Sequence, residues 1–88
     1  MTPAELAALA DVHGYAGANR IHLTRHARLR IEQRGTSPEE LRVILMGAPS
    51  CAIQANGTVR VRGVDGDGDR LDVIVAIEDG VIVVTLFG

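Results

Sequence analysis

Cysteine, lysine and aromatic residues are nearly absent from this 88-residue sequence, and each shortage excludes a class of protein. The single cysteine, Cys51, has no partner for an internal disulfide, so we expect a small buried thiol and no need for an oxidising compartment. Tyr15 and Phe87 are the only aromatic residues, which argues against the aromatic platforms on which single-strand binders stack bases. Any contact with RNA is therefore expected to depend on charge and shape.

Long apolar runs and a secretion signal are also missing. Wholly apolar segments such as Val73–Ile77 and Val81–Val84 are far shorter than the roughly 20 residues of a membrane-spanning helix. Met1–Ala10 carries no basic side chain and has Glu5 within its apolar stretch, a pattern that differs from that of a signal peptide. These features predict a cytoplasmic protein with no membrane partner.

The composition that remains is that of one globular domain with segregated charge. Hydrophobic residues make up 47% of the chain and charged residues 23%, and the formal net charge of -2 argues against indiscriminate adhesion to nucleic acid. All basic residues between positions 20 and 34 are arginines, opposed by Glu32 alone: Arg20, Arg25, Arg28, Arg30 and Arg34. Acids instead dominate the last third of the chain, so the segment over residues 20–34 is locally cationic.

Capping patterns predict the helices. Thr2-Pro3-Ala4-Glu5 combines an N-cap hydroxyl, a proline at the first helical position and a glutamate three residues after the cap, which predicts a helix to about Asp11. His13–Asn19 has no periodicity and two glycines, so we predict a flexible connection and divide the chain into residues 1–19 and a single domain over residues 20–88. Two further helices are predicted from Thr24 to Arg34 and from Ser37 to Gly47.

Beyond Ser50 the apolar period changes to two, which predicts strands. Asn56-Gly57 is a strong hairpin signal between the first two strands, and glycine-aspartate turns at residues 65–69 and 79–80 separate the others. The last two strands, over residues 71–77 and 81–87, are apolar at nearly every position, so we expect them to be central in the sheet. The predicted fold class is α+β, with two to three N-terminal helices packed on a four-stranded antiparallel meander sheet.

A polar ridge on the second helix is the strongest candidate site. His26, Arg30 and Arg34 stand four residues apart, so on a helix they lie in one row. An imidazole transfers protons near neutral pH and guanidinium groups bind phosphate oxygens in a planar fork, so the trio suits phosphodiester cleavage without a metal. The alternative is a solvated helix face with His26 packed at its edge, and spacing alone favours that interpretation.

Four further arginines are candidates for RNA binding. Arg25 and Arg28 belong to the same predicted helix but to other faces of it. Arg60 and Arg62 alternate onto one face of a predicted strand, where they would extend a track of phosphate contacts.

Two patterns are similar to metal sites, and both lack a required residue. His22 and His26 have the spacing of paired zinc ligands, but no glutamate follows His22 and no further ligands cluster nearby in the sequence. The alternation over residues 65–69 is similar to the start of a calcium loop, yet Arg70 stands where glycine is needed and Ala76 where a bidentate glutamate belongs. We therefore predict no metal and no cofactor, and interpret residues 65–69 as a solvated turn.

The run Ile21–Arg30, followed by Gln33-Arg34-Gly35 and the helix start at Ser37-Pro38-Glu39-Glu40, resembles a bacterial domain-of-unknown-function family with a T-x-H-A-x-x-R and R-G signature. The resemblance covers about Arg20 to Phe87. Such domains are similar in element order to ribonuclease toxins of the RelE and BrnT type, in which helices pack on an antiparallel sheet and a basic face cleaves or binds RNA. The resemblance implies a RelE/barnase-like toxin fold and puts His26, Arg30 and Arg34 on the family's polar ridge, with no assigned catalytic acid.

Two functional hypotheses remain open. In the first, the chain is a metal-independent ribonuclease-like toxin domain that acts on RNA and has a cognate antitoxin or another small protein as partner. His26 then activates a ribose 2′-hydroxyl, while Arg30 and Arg34 stabilise the charge that develops on the phosphate. In the second, the chain is a non-catalytic interaction module whose apolar sheet edge or first helix pairs with another chain. The valine-rich last strand also leads us to expect a homodimer.

Overall fold

A computed structural model describes all of residues 1–88 and contains three helices and five strands. The helices are α1 (Pro3–Gly17), α2 (Arg25–Arg34) and α3 (Pro38–Gly47). The strands are β1 (Ile21–Leu23), β2 (Ser50–Ile53), β3 (Val59–Val64), β4 (Arg70–Ile77) and β5 (Val81–Phe87). They form one sheet in the order β1-β5-β4-β3-β2, which confirms the α+β class and the central position of β4 and β5.

The predicted four-stranded antiparallel sheet is wrong, because β1 adds a fifth and parallel strand. Ile21, His22 and Leu23 pair with Val81, Ile82 and Val83 of β5, whereas all other neighbouring strands are antiparallel. A segment of three residues is too short to show a period of two, so no pattern in the sequence predicts this strand. Since β5 lies between β1 and β4, its residues 81–83 offer no free edge for a homodimer.

Helix α1 is longer than predicted and ends at Gly17 instead of about Asp11. Val12 and Ala16 are fully buried and continue its apolar row, so packing outweighs the low helix propensity of Gly14. Arg42 of α3 supports the end of the helix, because its Nε donates to the backbone oxygen of Ala16 at 2.9 Å and its Nη2 to that of Gly17 at 3.2 Å. The predicted flexible connection is therefore mostly helical, and α1 shares one core with the rest of the chain.

One face of the sheet is covered by α1 and α3, which contact each other and the strands β2 and β3. The side chains that point to these helices alternate along the strands and are buried: Cys51, Val59, Val61, Leu71, Val73, Val75, Val81, Val83 and Leu86. Gly63 permits a close approach of α3 to β3, since a Cβ there would overlap Cγ2 of Ile44. No helix of the structure combines the length and apolarity needed to cross a bilayer.

Helix α2 lies along the outer edge of β5, beyond the point where β1 ends. Thr24 makes this junction, because its N–H donates to the backbone oxygen of Val83 at 3.1 Å and its hydroxyl to that of Val84 at 3.0 Å. The same hydroxyl accepts from the N–H of Ala27 as the predicted N-cap. Ala27 and Ile31 then anchor the helix in the core, and Gly35 ends it in the left-handed region at φ 68°. The edge of β5 is thus closed by a helix that carries the predicted site.

Candidate functional site

Arg30 and Arg34 of the predicted ridge border the end of β5, whereas His26 lies at the start of α2. At about 100° per residue, His26, Arg30 and Arg34 fall to one side of the buried residues Ala27 and Ile31. His26 is exposed and makes no hydrogen bond within the protein, so its imidazole is free to meet a ligand. His26 is therefore not packed against the core, and its exposure also fits the alternative of a solvated helix face.

Arg30 has a structural contact as well as free donors. Its Nε donates to the backbone oxygen of Leu86 at 3.2 Å, which satisfies an edge carbonyl of β5. The side chain is half-buried, and its two Nη atoms form no hydrogen bond with the protein. This contact fixes the direction of the guanidinium and leaves its terminal nitrogens for an outside acceptor.

Arg34 reaches the C-terminal end of β5 and the first residue of β4. A Cβ on Gly88 would lie 2.8 Å from Nη2 of Arg34 and 2.9 Å from the backbone oxygen of Arg70. The guanidinium of Arg34 therefore lies beside Gly88, next to the backbone of Arg70. Arg34 of α2 and the start of β4 therefore meet at this corner of the molecule.

Arg25 and Arg28 point away from this corner. They line a shallow depression on the outer surface of α2 with His26, Leu29 and Glu32. Arg25 is about half a helical turn from Arg34 in projection, so the two side chains leave the helix in opposite directions. The structure thus separates Arg25 and Arg28 from Arg30 and Arg34, although all four are near one another in the sequence.

The face of the sheet opposite α1 and α3 is here called the open face. It consists of the alternate side chains that are not directed at the helices: Arg60, Arg62, Arg70, Asp72, Ile74, Ala76, Ile82, Thr85 and Phe87. Most of these side chains are exposed or half-buried, which fits a face without a covering layer. Asp72 is the exception, with 2% of its surface exposed.

Asp72 holds two arginines side by side on the open face. Its carboxylate accepts from Nε of Arg60 at 2.7 Å and from Nε of Arg70 at 3.0 Å, and each guanidinium adds a second contact through Nη2. Hydrogen bonds from Arg70 and then from Arg60 lower the pKa of Asp72, against the opposing effect of burial. The carboxylate is therefore charged at neutral pH, and it orients both arginines.

Phe87 joins this cluster at the end of β5. The guanidinium carbon of Arg60 lies 5.0 Å from the centre of the Phe87 ring, within the range of a cation–π contact. Phe87 is only half-buried, so one aromatic ring is available on the open face although the sequence has no aromatic platform. Arg62 adds an exposed guanidinium on the same face and forms no ion pair.

The open face and the bordering side of α2 are together cationic in a chain with a net charge of -2. The arginines are Arg30, Arg34, Arg60, Arg62 and Arg70, and the single carboxylate among them is Asp72. We call this set the arginine surface. The acids of α1 and α3 belong to the helices on the other face of the sheet, and Asp65, Asp67 and Asp69 lie in the turn that directly precedes Arg70.

Two other candidates have structural explanations. The oxygens of Asp65, Asp67 and Asp69 lie within 4.8 Å of one another, but Asp65 accepts from the N–H groups of Asp67 and Asp69, both at 2.9 Å, as a turn requires. Cys51 lies in β2, at the opposite edge of the sheet from α2, so it has no contact with His26. Burial and the Glu5 carboxylate raise the pKa of its thiol.

Sequence reasoning missed Arg70, Asp72 and Phe87. Asp72 carried a usable signal, because a carboxylate inside the apolar run of β4 needs cationic partners if that strand is buried. Arg70 stands two residues before Asp72 on the same strand, and Arg60 lies on the adjacent strand β3.

A scan against protein-family models finds no match, and searches of curated proteins and of solved structures find none. The candidate site is therefore interpreted from its own geometry.

Proposed function

We propose that the protein binds RNA through the arginine surface and cleaves it without a metal, as a ribonuclease-like toxin domain. The observation that carries the proposal is the convergence of guanidinium groups from α2 and from the open face at the end of β5. The exposed imidazole of His26 lies near the start of the same helix. Guanidinium groups pair with phosphate oxygens through two parallel hydrogen bonds. A backbone with one negative charge per nucleotide fits such a row of separate cations.

In the proposed reaction, His26 takes the proton of a ribose 2′-hydroxyl, and the 2′-oxygen attacks the adjacent phosphorus. The bond from phosphorus to the 5′-oxygen breaks, and that oxygen takes a proton from water. The products are a 2′,3′-cyclic phosphate and a 5′-hydroxyl. The free Nη atoms of Arg30 and the guanidinium of Arg34 stabilise the added negative charge on the phosphate oxygens.

The positions of Phe87 and Arg60 support single-stranded RNA as the substrate. A base that is not paired stacks on an aromatic ring or on a guanidinium plane, and both groups lie together on the open face. Double-stranded RNA would present only phosphates and sugars to this surface. We therefore expect a preference for unpaired segments.

The test measures binding and cleavage of a labelled single-stranded RNA in EDTA. Arg34→Gln removes a guanidinium of the arginine surface, whereas Arg25→Gln removes one from the opposite side of the same helix and serves as the matched control. We expect Arg34→Gln to weaken RNA binding. It should also reduce the slope of the logarithm of the binding constant against the logarithm of the salt concentration by about 0.7, the contribution of one phosphate contact on a single strand. Equal effects of the two substitutions would contradict binding through the arginine surface.

His26→Ala tests the chemistry separately. We expect it to abolish cleavage and to leave most of the affinity, because an imidazole contributes little to phosphate binding at neutral pH. Wild-type protein that binds RNA but produces no 2′,3′-cyclic phosphate would remove the catalytic part of the proposal.

A second candidate function is a non-catalytic interaction module. Half-buried apolar side chains lie between the arginines of the open face, including Ile74, Ala76 and Ile82, and such a mixture also fits an acidic amphipathic segment of a small partner protein. In that case the open-face variant Ile74→Asp abolishes capture of the partner, and RNA affinity is absent from the wild type.

A further inference from the structure

Strand β2 is an edge strand without the usual protection. It pairs with β3 on one side only. Residues 50–54 contain no charged side chain and no proline, although edge strands commonly carry such residues to prevent pairing with another chain. Ile53 adds an apolar side chain that is 43% exposed. Something other than the sequence of β2 must therefore keep this edge unpaired.

The first turn of α1 covers the outward N–H groups of β2. The N–H of Ile53 donates to Oε2 of Glu5 at 3.3 Å, and the N–H of Cys51 donates to Sδ of Met1 at 3.4 Å. The thiol of Cys51 also donates to the backbone oxygen of Glu5 at 3.2 Å. These three contacts involve two alternate residues of the strand, Cys51 and Ile53, and come from Met1 and from Glu5 in the first turn of α1.

Glu5 links this cover to the start of the helix. Its Oε1 accepts from the N–H of Thr2 at 2.8 Å, while its Oε2 accepts from Ile53. The hydrogen bonds from Thr2 and then from Ile53 lower the pKa of Glu5, so the carboxylate is charged at neutral pH. A charged carboxylate against a strand edge both satisfies an N–H group and repels a further backbone carbonyl.

We propose that the outer edge of β2 is a pairing surface for a second copy of this chain, and that the first turn of α1 masks it through Glu5. The pattern of outward groups is self-complementary. In an antiparallel pair centred on Ala52, Cys51 lies opposite Ile53 of the second copy and each such pair exchanges two N–H···O bonds. The twofold arrangement repeats this exchange, and the small side chain of Ala52 lies on the axis.

A second copy fits this edge better than a charged peptide does. In the pair, residues 50–54 of one copy lie opposite residues 50–54 of the other, so no charge is buried and no like charges meet. The two five-stranded sheets would become one continuous sheet. Arg30, Arg34 and the end of β5 lie at the far side of the sheet from β2, so they take no part in this pairing. Arg60 and Arg62 lie on β3, next to β2, and pairing at the edge does not cover the open face from which they project.

The test measures self-association by sedimentation equilibrium for wild type, Glu5→Ala and Thr2→Ala. Both substitutions weaken the start of α1, but Thr2→Ala keeps the carboxylate that accepts from Ile53 and is the matched control. We expect Glu5→Ala to strengthen dimerisation at least about tenfold relative to Thr2→Ala. Circular dichroism establishes that each variant is folded.

Two more variants complete the test. Glu5→Leu keeps a helix-forming side chain without an acceptor oxygen and supplies the same comparison if Glu5→Ala is unfolded. Adding Ile53→Lys to either Glu5 variant puts a charge on the exposed edge of β2, and we expect this charge to restore the monomer. Glu5 variants that stay as monomeric as Thr2→Ala, or dimers that persist with Ile53→Lys, would overturn the proposal.

Discussion

Replacing Asp72 by asparagine isolates the charge that orients the arginines of the open face. The side chain keeps its size, but it loses the negative charge to which Arg60 and Arg70 donate. A hydrogen bond to a charged group contributes about 1.5–3 kcal/mol to the free energy of unfolding. Because 35% of the Arg60 side chain is exposed, solvent screens the pair and the lower part of that range applies.

We therefore expect Asp72→Asn to lower the free energy of unfolding at pH 7 by about 2 kcal/mol through its pair with Arg60. For a domain of this size, that loss corresponds to a decrease in Tm of roughly 10 °C. Asp69→Asn is the control, since Asp69 is exposed and forms no ion pair. Thermal unfolding followed by circular dichroism measures both variants.

The pH dependence of the difference in Tm between wild type and Asp72→Asn tests whether that difference is electrostatic. The pKa of Asp72 in the folded protein is below its ordinary value of 3.8, so its stabilising contribution is present above that value and is lost as the pH falls through the folded-state pKa. The gap in Tm between wild type and Asp72→Asn should thus be complete at neutral pH and shrink in strongly acidic solution. Equal Tm values at pH 7, or a gap that does not change with acidification, would refute the reasoning.

Two further substitutions test the packing of the fold. Gly63→Ala should destabilise the protein by about 1–3 kcal/mol in urea unfolding, because the new Cβ would overlap the side chain of buried Ile44. Gly14→Ala is the control, because Gly14 is exposed in α1 and a Cβ there meets no atom within 4 Å. This substitution should stabilise the protein by about 0.5–1 kcal/mol. Destabilisation by both substitutions would argue against the packing explanation. Thr24→Ala should cost about 1–2 kcal/mol, since it removes both the cap of α2 and the bond to Val84, and Thr24→Ser should retain most of the stability.

Local signals in the sequence predicted the helix starts well. Thr2, Thr24 and Ser37 each cap a helix at the predicted residue, because a cap depends on a hydroxyl and an N–H group only three residues away. The far end of α1 was missed because it is set by α3, whose Arg42 bonds the last carbonyls. Strand β1 was missed for the same reason, since its existence depends on β5, about 60 residues later in the chain.

The composition of the open face depends on a single irregularity that no local signal indicates. Val81 and Val83 point to the core, so strict alternation would direct residues 85 and 87 there as well. The register instead shifts between Ile74 and Val75, which leaves Val84 as an extra residue in β5. Beyond this bulge, Leu86 points to the core and Phe87 to the open face, where it meets Arg60. The ridge of α2 could be read from a helical period, but its aromatic and arginine neighbours on the sheet required the register of two strands.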